Sequence, residues 1–305
     1  MTGQIRECNG AILIDKPAGI TSAAVVAQLK RRFGFSRVGH AGTLDPAATG
    51  LLIVLFGKAT RLQPLFLESA KEYSGVMRLG LGTDSDDLTG NICEEDAALE
   101  FARRMQPEEI LALIRHRFSG RTMQTPPQYS AVHVSGKRSY ALARKCVPCE
   151  LEARAVEIEF LRLGLREKTE LEYEIRCSKG TYVRALARDI GRALGSCGCV
   201  ASIRRTAAGP FRIECAQSLS CVLAGELETV GIGLAKLVAH LPRFELSRED
   251  CLALKRGNQQ ALALLSPRKA ADGFGAVFDP DQSFVGLICR EQAGDTAQWR
   301  LRFVA

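Results

Sequence analysis

Apolar positions along this chain recur at strand spacing in some stretches and at helix spacing in others, and each change of period marks an element. Residues 11–15 (AILID) read as a short strand. Thr21 or Ser22 can then cap a helix whose apolar Val25, Val26, Leu29 and Phe33 lie on one side. Lys30, Arg31 and Arg32 crowd its last turn, where they complement the helix dipole, and Gly34 can end it. Residues 51–56 (LLIVLF) are an uninterrupted apolar run of strand length. Residues 73–81 predict a strand leading into an acidic loop, GTDSDDLTG. Pro107, Glu108 and Glu109 open a second helix, apolar at Ile110, Leu111, Ile114 and Phe118, which stops before Gly120. Strands follow at residues 155–165 and 170–177, the latter alternating Leu171, Tyr173, Ile175 and Cys177 on one face. In the helix that follows Gly180, Val183, Leu186, Ala187, Ile190 and Leu194 make an apolar stripe. Arg184, Arg188 and Arg192 recur every four residues and form a separate basic stripe, with Arg188 and Arg192 open either to solvent or to phosphate.

Beyond about residue 240 the elements shorten. Residues 246–250 (LSRED) predict a capped short helix running to Gly257. Two apolar runs, 275–278 and 284–289, are joined by Asp279, Pro280, Asp281 and Gln282, a hairpin with turn chemistry, and residues 299–303 can close a small sheet. Strands and helices alternate without a regular βαβ rhythm. The expected class is therefore α+β with a mixed or antiparallel sheet, divided into a large domain at 1–240 and a small β-rich one at 241–305.

Composition adds less. With 46% hydrophobic and 25% charged residues over 305 positions, the chain has the profile of an ordinary soluble globular protein. The net charge of +7 is unevenly spread. Residues 176–212 carry eight basic side chains against Asp189 alone, whereas residues 84–109 carry nine acids against Arg103 and Arg104. Such segregation suggests a basic and an acidic face, and an oriented encounter with a polyanion. Eleven cysteines include a C-x-x-C at Cys146 and Cys149 and a C-x-C at Cys197 and Cys199. The spacing is not that of a zinc ribbon, so free thiols in a reducing cytoplasm are expected, with no metal site. The polar N-terminus is unlike a signal peptide, and no apolar run approaches membrane-spanning length.

The chemistry concentrates at residues 39–51, GHAGTLDPAATGL. Gly39, Gly42 and Gly50 permit a tight loop that can carry Asp45 into a cleft, supported by the apolar run that follows. An Asp-Pro by itself more often starts a turn. The whole stretch, however, resembles the GHxGTLDPxAxGxL signature of the TruB family of tRNA pseudouridine synthases. Collinear blocks extend the resemblance over residues 10–215. They are IDKPAGITS at 14–22, KEY at 71–73, QTPPQYSA at 124–131, GKRSY at 136–140, CSKGTYVRALARDIG at 177–191, and IRRT with GPF at 203–211. Departures are mild, at Ser85, Cys146 and Ile203.

The resemblance implies that Asp45 is the nucleophile, attacking the ribose or the base, with Arg184 orienting and stabilising its carboxylate. It implies that Tyr73 stacks on the uracil and helps remove the carbon-5 proton. His40 invites a general-base reading, while the resemblance implies insertion into the RNA loop beside an extruded nucleotide. Tyr182, Lys16 and Arg204 join His40 as expected substrate contacts. Isomerising uridine exchanges no electrons and imports no group. No cofactor is expected, in keeping with the absence of a Walker loop or dinucleotide fingerprint. The implied substrate is uridine 55 in the T loop of tRNA. The implied protein is a cytoplasmic monomer needing neither guide RNA nor protein partner, with a PUA-like RNA-binding barrel at the C-terminus. A non-catalytic tRNA-folding protein, a zinc-stabilised module and a guide-RNA-dependent relative are the competing expectations.

Overall fold

The apolar run at residues 51–56 is the spine of the structure, a computed structural model describing residues 9–130, 132–134, 137–139, 150–265, 273–293 and 296–305. The main sheet contains β1 (Gly10–Lys16), β2 (Thr49–Phe56), β3 (Lys71–Leu79), β4 (Gly120–Gln124), β5 (Arg154–Arg166), β6 (Glu170–Cys177) and β7 (Gly198–Ala208). Their spatial order is β1-β2-β7-β3-β6-β5-β4, and short strands extend it at the β1 end. Pairing is antiparallel except between β2 and β7, and between β1 and the short strand Gln217–Ser218. The fold is α+β with a mixed sheet.

Strands β1 and β2 are apolar on both faces because both faces are covered. Ile12, Ile14, Leu52 and Val54 face helix α1 (Ser22–Phe33) through its Val25 and Leu29. Their neighbours Leu13, Leu51, Ile53 and Leu55 face the other way. At the far end of the sheet, α2 (Pro107–Phe118) and α3 (Val183–Ala193) cover β3, β5 and β6 with Ile110, Ile114, Leu186 and Ile190. Strand β6 keeps the strict alternation read from its sequence. Strand β5 does not. A bulge between Phe160 and Arg162 turns Leu161 out and lets both Phe160 and Leu163 point inward. The strand expected at residues 73–81 stops at Leu79, because Gly80 at φ +82° turns the chain into a separate hairpin of Leu81–Thr83 with Ile92–Glu95.

The C-terminal segment forms a second sheet of β8 (Arg243–Glu245), β9 (Phe274–Phe278), β10 (Phe284–Ala293) and β11 (Thr296–Val304). Ser247 caps the helix Arg248–Lys255 by accepting from the Asp250 amide at 3.1 Å. This segment shares a core with the main sheet. Leu241, Ala276, Phe278, Leu287 and Phe303 pack in one cluster with Leu51, Ile53, Leu55, Leu62 and Phe66. Truncation after residue 240 is therefore expected to uncover an apolar face of the main sheet. Each large side chain exposed costs roughly 1.5–3 kcal/mol, and several together rival a total stability of about 5–15 kcal/mol. The truncated chain should aggregate or melt far below the full chain in a thermal scan. An unchanged melting temperature would show that the shared cluster contributes little.

Cys197 and Cys199 are buried free thiols, and no cluster of metal-ligand side chains occurs among the described residues. Cys146 and Cys149 lie outside the described residues. Burial pushes the thiols of Cys177 and Cys199 up to about 11, whereas Cys93, Cys215 and Cys221 are exposed. A thiolate is the reacting species. Iodoacetamide at mildly alkaline pH should thus modify Cys93, Cys215 and Cys221 of the folded protein, with Cys177 and Cys199 reacting only after denaturation. Peptide mass mapping reads the order, and early labelling of Cys199 would contradict it. No helix among the described residues is long and apolar enough to cross a membrane.

Candidate active site

Asp45 sits in the loop between the short strand Val38–His40 and β2. Three elements fix that loop. The Ser22 hydroxyl donates to the Leu44 carbonyl at 3.0 Å and accepts from the Leu44 amide at 2.9 Å, so Ser22 fastens the loop while Thr21 caps α1. Lys16 is fully buried, and its ammonium donates to the carbonyls of Pro17 (2.8 Å), Ile20 (2.8 Å) and Pro46 (3.2 Å). With all three protons taken, Lys16 holds the turn after Asp45 and has none left for a substrate. Arg205, on β7, reaches under the loop from the opposite side. Its Nε donates to Leu51 O at 2.7 Å, Nη1 to Thr43 O at 3.4 Å and Nη2 to Gly42 O at 3.1 Å. Gly50 allows this approach. It has φ +101°, and a side chain there would place a Cβ 2.3 Å from the Arg205 carbonyl oxygen.

The loop presents the carboxylate to Arg184 in the first turn of α3. Gln124 aligns that turn, since its side chain accepts from the Tyr182 amide at 2.8 Å and donates to the Tyr182 carbonyl at 3.1 Å. Arg184 then spends each nitrogen in a different direction. Nε donates to Asp45 Oδ2 at 2.8 Å, Nη1 to Ser85 O at 2.7 Å and Nη2 to Tyr129 O at 2.9 Å, with Asp87 Oδ2 a further 3.7 Å from Nε. The arginine side chain is 7% exposed and the aspartate 42%. A buried fork therefore clamps one oxygen of a carboxylate that is still reachable. Oδ1 has no hydrogen-bond partner among the described residues. The fork fixes the direction of the carboxylate and leaves its second oxygen accessible.

Arg184 is buried with the apolar side of α3. Two expectations about charge change here. Arg188 is neither solvated nor free for phosphate. It binds Asp189 at 2.9 Å, Asp86 at 3.1 Å and the Thr125 carbonyl at 2.7 Å. The acidic loop at residues 84–87 accordingly folds against the basic helix, and opposite charged faces do not form there.

Tyr73 on β3 pairs in register with Arg205 on β7, near enough for the Arg205 charge to act on its hydroxyl. Burial raises the pKa of that hydroxyl. Burial also lowers the pKa of His40, aided by the positive charge of Arg205, and the buried His40 Nδ1 has no hydrogen-bond partner among the described residues. Gln63 holds the His40 backbone by donating to its carbonyl at 2.7 Å. Tyr182 is half-buried two residues before Arg184, and burial raises its hydroxyl pKa. Arg204 makes a two-point pair with Asp15, at 3.0 and 2.7 Å. Asp45 and Arg184 are thus in direct contact and Tyr73 lies near enough to feel the Asp45 charge, while Lys16 and Arg204 are engaged within the protein. Sequence reasoning singled out Arg204 and passed over Arg205. Strand alternation announced that two adjacent arginines would face opposite sides, without saying which side was the interior.

The model of the TruB family pseudouridylate synthases (N-terminal domain) matches residues 30–183. The chain is 42% identical over 258 residues to the tRNA pseudouridine synthase B of Cereibacter sphaeroides, spanning 83% of this chain and 84% of that protein. It is 41% identical over 285 residues to the tRNA pseudouridine synthase B of Parasynechococcus marenigrum, spanning 90% and 94%. Among solved structures, a chain of the crystal structure of a Cbf5-Nop10-Gar1 complex superimposes with a TM-score of 0.69 at 25% identity, over 98% of this chain and 86% of that one. An Asp45 loop braced by buried cations, a matching family model and relatives alike over nearly their whole length lead to one conclusion: the chain belongs to the TruB family of pseudouridylate synthases.

Proposed function

We propose that this protein isomerises uridine 55 in the T loop of tRNA to pseudouridine, acting as a monomer in the cytoplasm without cofactor, guide RNA or protein partner. The observation that carries this reading is the Arg184 fork on Asp45 Oδ2, with Oδ1 left open. Asp45 is the nucleophile, Arg184 holds and directs it, and Tyr73 packs against the extruded uracil. A loop uridine is cheaper to extrude than a paired one, because less stacking is lost. His40, uncharged and half-buried at the cleft, fills the place the base vacates, and Tyr182 lines the same cleft. The C-terminal sheet gives the bound tRNA a second, PUA-like surface. The greater likeness to proteins named tRNA pseudouridine synthase B than to the Cbf5 complex supports a stand-alone tRNA enzyme. Base-resolution pseudouridine mapping of tRNA incubated with the pure protein alone tests the assignment. Modification at position 55 is expected, and modification elsewhere or only with added guide RNA would overturn it.

A further inference from the structure

Arg205 is 1% exposed and carries a charge that it cannot lose. Its three hydrogen-bond acceptors, the carbonyls of Leu51, Thr43 and Gly42, are all neutral. No carboxylate lies within ion-pairing distance of it among the described residues, whereas Arg184, Arg188 and Arg204 each have one. A buried cation without a counter-ion is costly to fold, and such costs are tolerated chiefly where function uses them. The charge is felt throughout the site, since it opposes protonation of His40, Lys16 and Lys71 alike. Strand β7 places it between the two halves of the centre. Arg205 pairs in register with Gly50, behind the Asp45 loop, and with Tyr73.

We propose that Arg205 is a fixed positive charge beneath the nucleotide pocket whose field favours the negative charge that develops on the uracil ring. The inference rests on the proposed function and holds for either route of attack. If Asp45 Oδ1 bonds to the ribose C1′, the C1′–N1 bond breaks and its electron pair stays on the ring, spread over N1, O2 and O4. If Oδ1 bonds to carbon 6, the pair of the 5,6 double bond moves to carbon 5 and O4 as an enolate. In both cases the ring gains one negative charge, and no proton or electron is needed from elsewhere. A preoriented charge in a water-poor site is well suited to stabilise it.

The test compares Arg205→Met and Arg205→Lys with the unaltered protein, in single turnover on T-arm hairpins carrying uridine or 5-fluorouridine at the target. Fluorine acidifies the ring, so a fluorinated ring depends less on outside stabilisation. Arg205→Met should slow conversion of uridine about a hundredfold, but slow 5-fluorouridine by about tenfold or less. Arg205→Lys, which keeps the charge, should recover much of the uridine rate, and hairpin affinity should change little in either variant. Should Arg205→Met fail to fold, the substrate comparison is read on Arg205→Lys, whose displaced charge should still cost uridine more than 5-fluorouridine. Equal losses on both substrates would reduce Arg205 to a fastener of the Asp45 loop and overturn the inference alone. An unaltered protein inert on uridine would overturn the proposed function and this inference together.

Discussion

Asp45→Asn should abolish pseudouridine formation while leaving a folded protein that still binds tRNA. The amide keeps the size of the carboxylate but cannot form the covalent bond. With enzyme in excess over tRNA, so that product release cannot mask residual chemistry, the rate should fall by at least about 10⁴-fold, or roughly 5 kcal/mol of barrier. Folding should be nearly unaffected. The side chain is 42% exposed, and Arg184 keeps the Ser85 and Tyr129 carbonyls and the nearby Asp87. Affinity should change by a few-fold at most, because phosphate contacts dominate RNA binding and a carboxylate adds no attraction to a polyanion. If Asp45 only started a turn, asparagine would serve as well and activity would persist. Substantial turnover by a correctly folded Asp45→Asn protein would sink the assignment.

Arg184→Met should have the next largest effect, and on stability as well as rate. It leaves the Ser85 and Tyr129 carbonyls without their donor, and Asp45 and Asp87 facing each other without a cation. Breaking a buried charged pair in this way costs about 3–5 kcal/mol, readable as a lower urea midpoint. Arg184→Lys separates charge from geometry. An ammonium can serve Asp45 but cannot also span both carbonyls in the plane of the fork. Its turnover should drop by about 10²–10³-fold, with smaller loss of stability than in Arg184→Met. Equal rates for Lys and Met at position 184 would show that the charge contributes nothing beyond packing.

Much of the molecule was legible in its residues. Period and capping located α1, α2, β2, β6 and the C-terminal hairpin, because those elements obey local rules: Thr21 and Gly34 bound α1, and Asp279 and Gln282 close the hairpin through the bond of the Gln282 amide to the Asp279 carbonyl at 3.0 Å. The collinear blocks also singled out Asp45, Arg184 and Tyr73, which the fold brings together from a loop, a helix and a strand. Bulges were not legible. Inserting one residue at Leu161 shifts the phase of β5, and no local preference announces it.

What the sequence by itself determined, then, is the family signature, the order of elements and Asp45 as the proposed nucleophile, all of which depend on short stretches of chain. Tertiary structure decided which charges are interior. Arg188 looked open to solvent or phosphate until the loop at residues 84–87 folded onto it. Lys16 looked available until the carbonyls of Pro17, Ile20 and Pro46 enclosed it. Arg205, indistinguishable from Arg204 in sequence, became the buried one because β7 runs between β2 and β3 with that residue turned toward the loop. The C-terminal sheet likewise proved to share the main core, since only assembly brings Phe278 and Phe303 against Leu51 and Ile53. The reason is the same in each case. A charged or apolar side chain carries its chemistry in its own residue, but its partners are supplied by segments distant in sequence, and only their packing fixes which partner it meets.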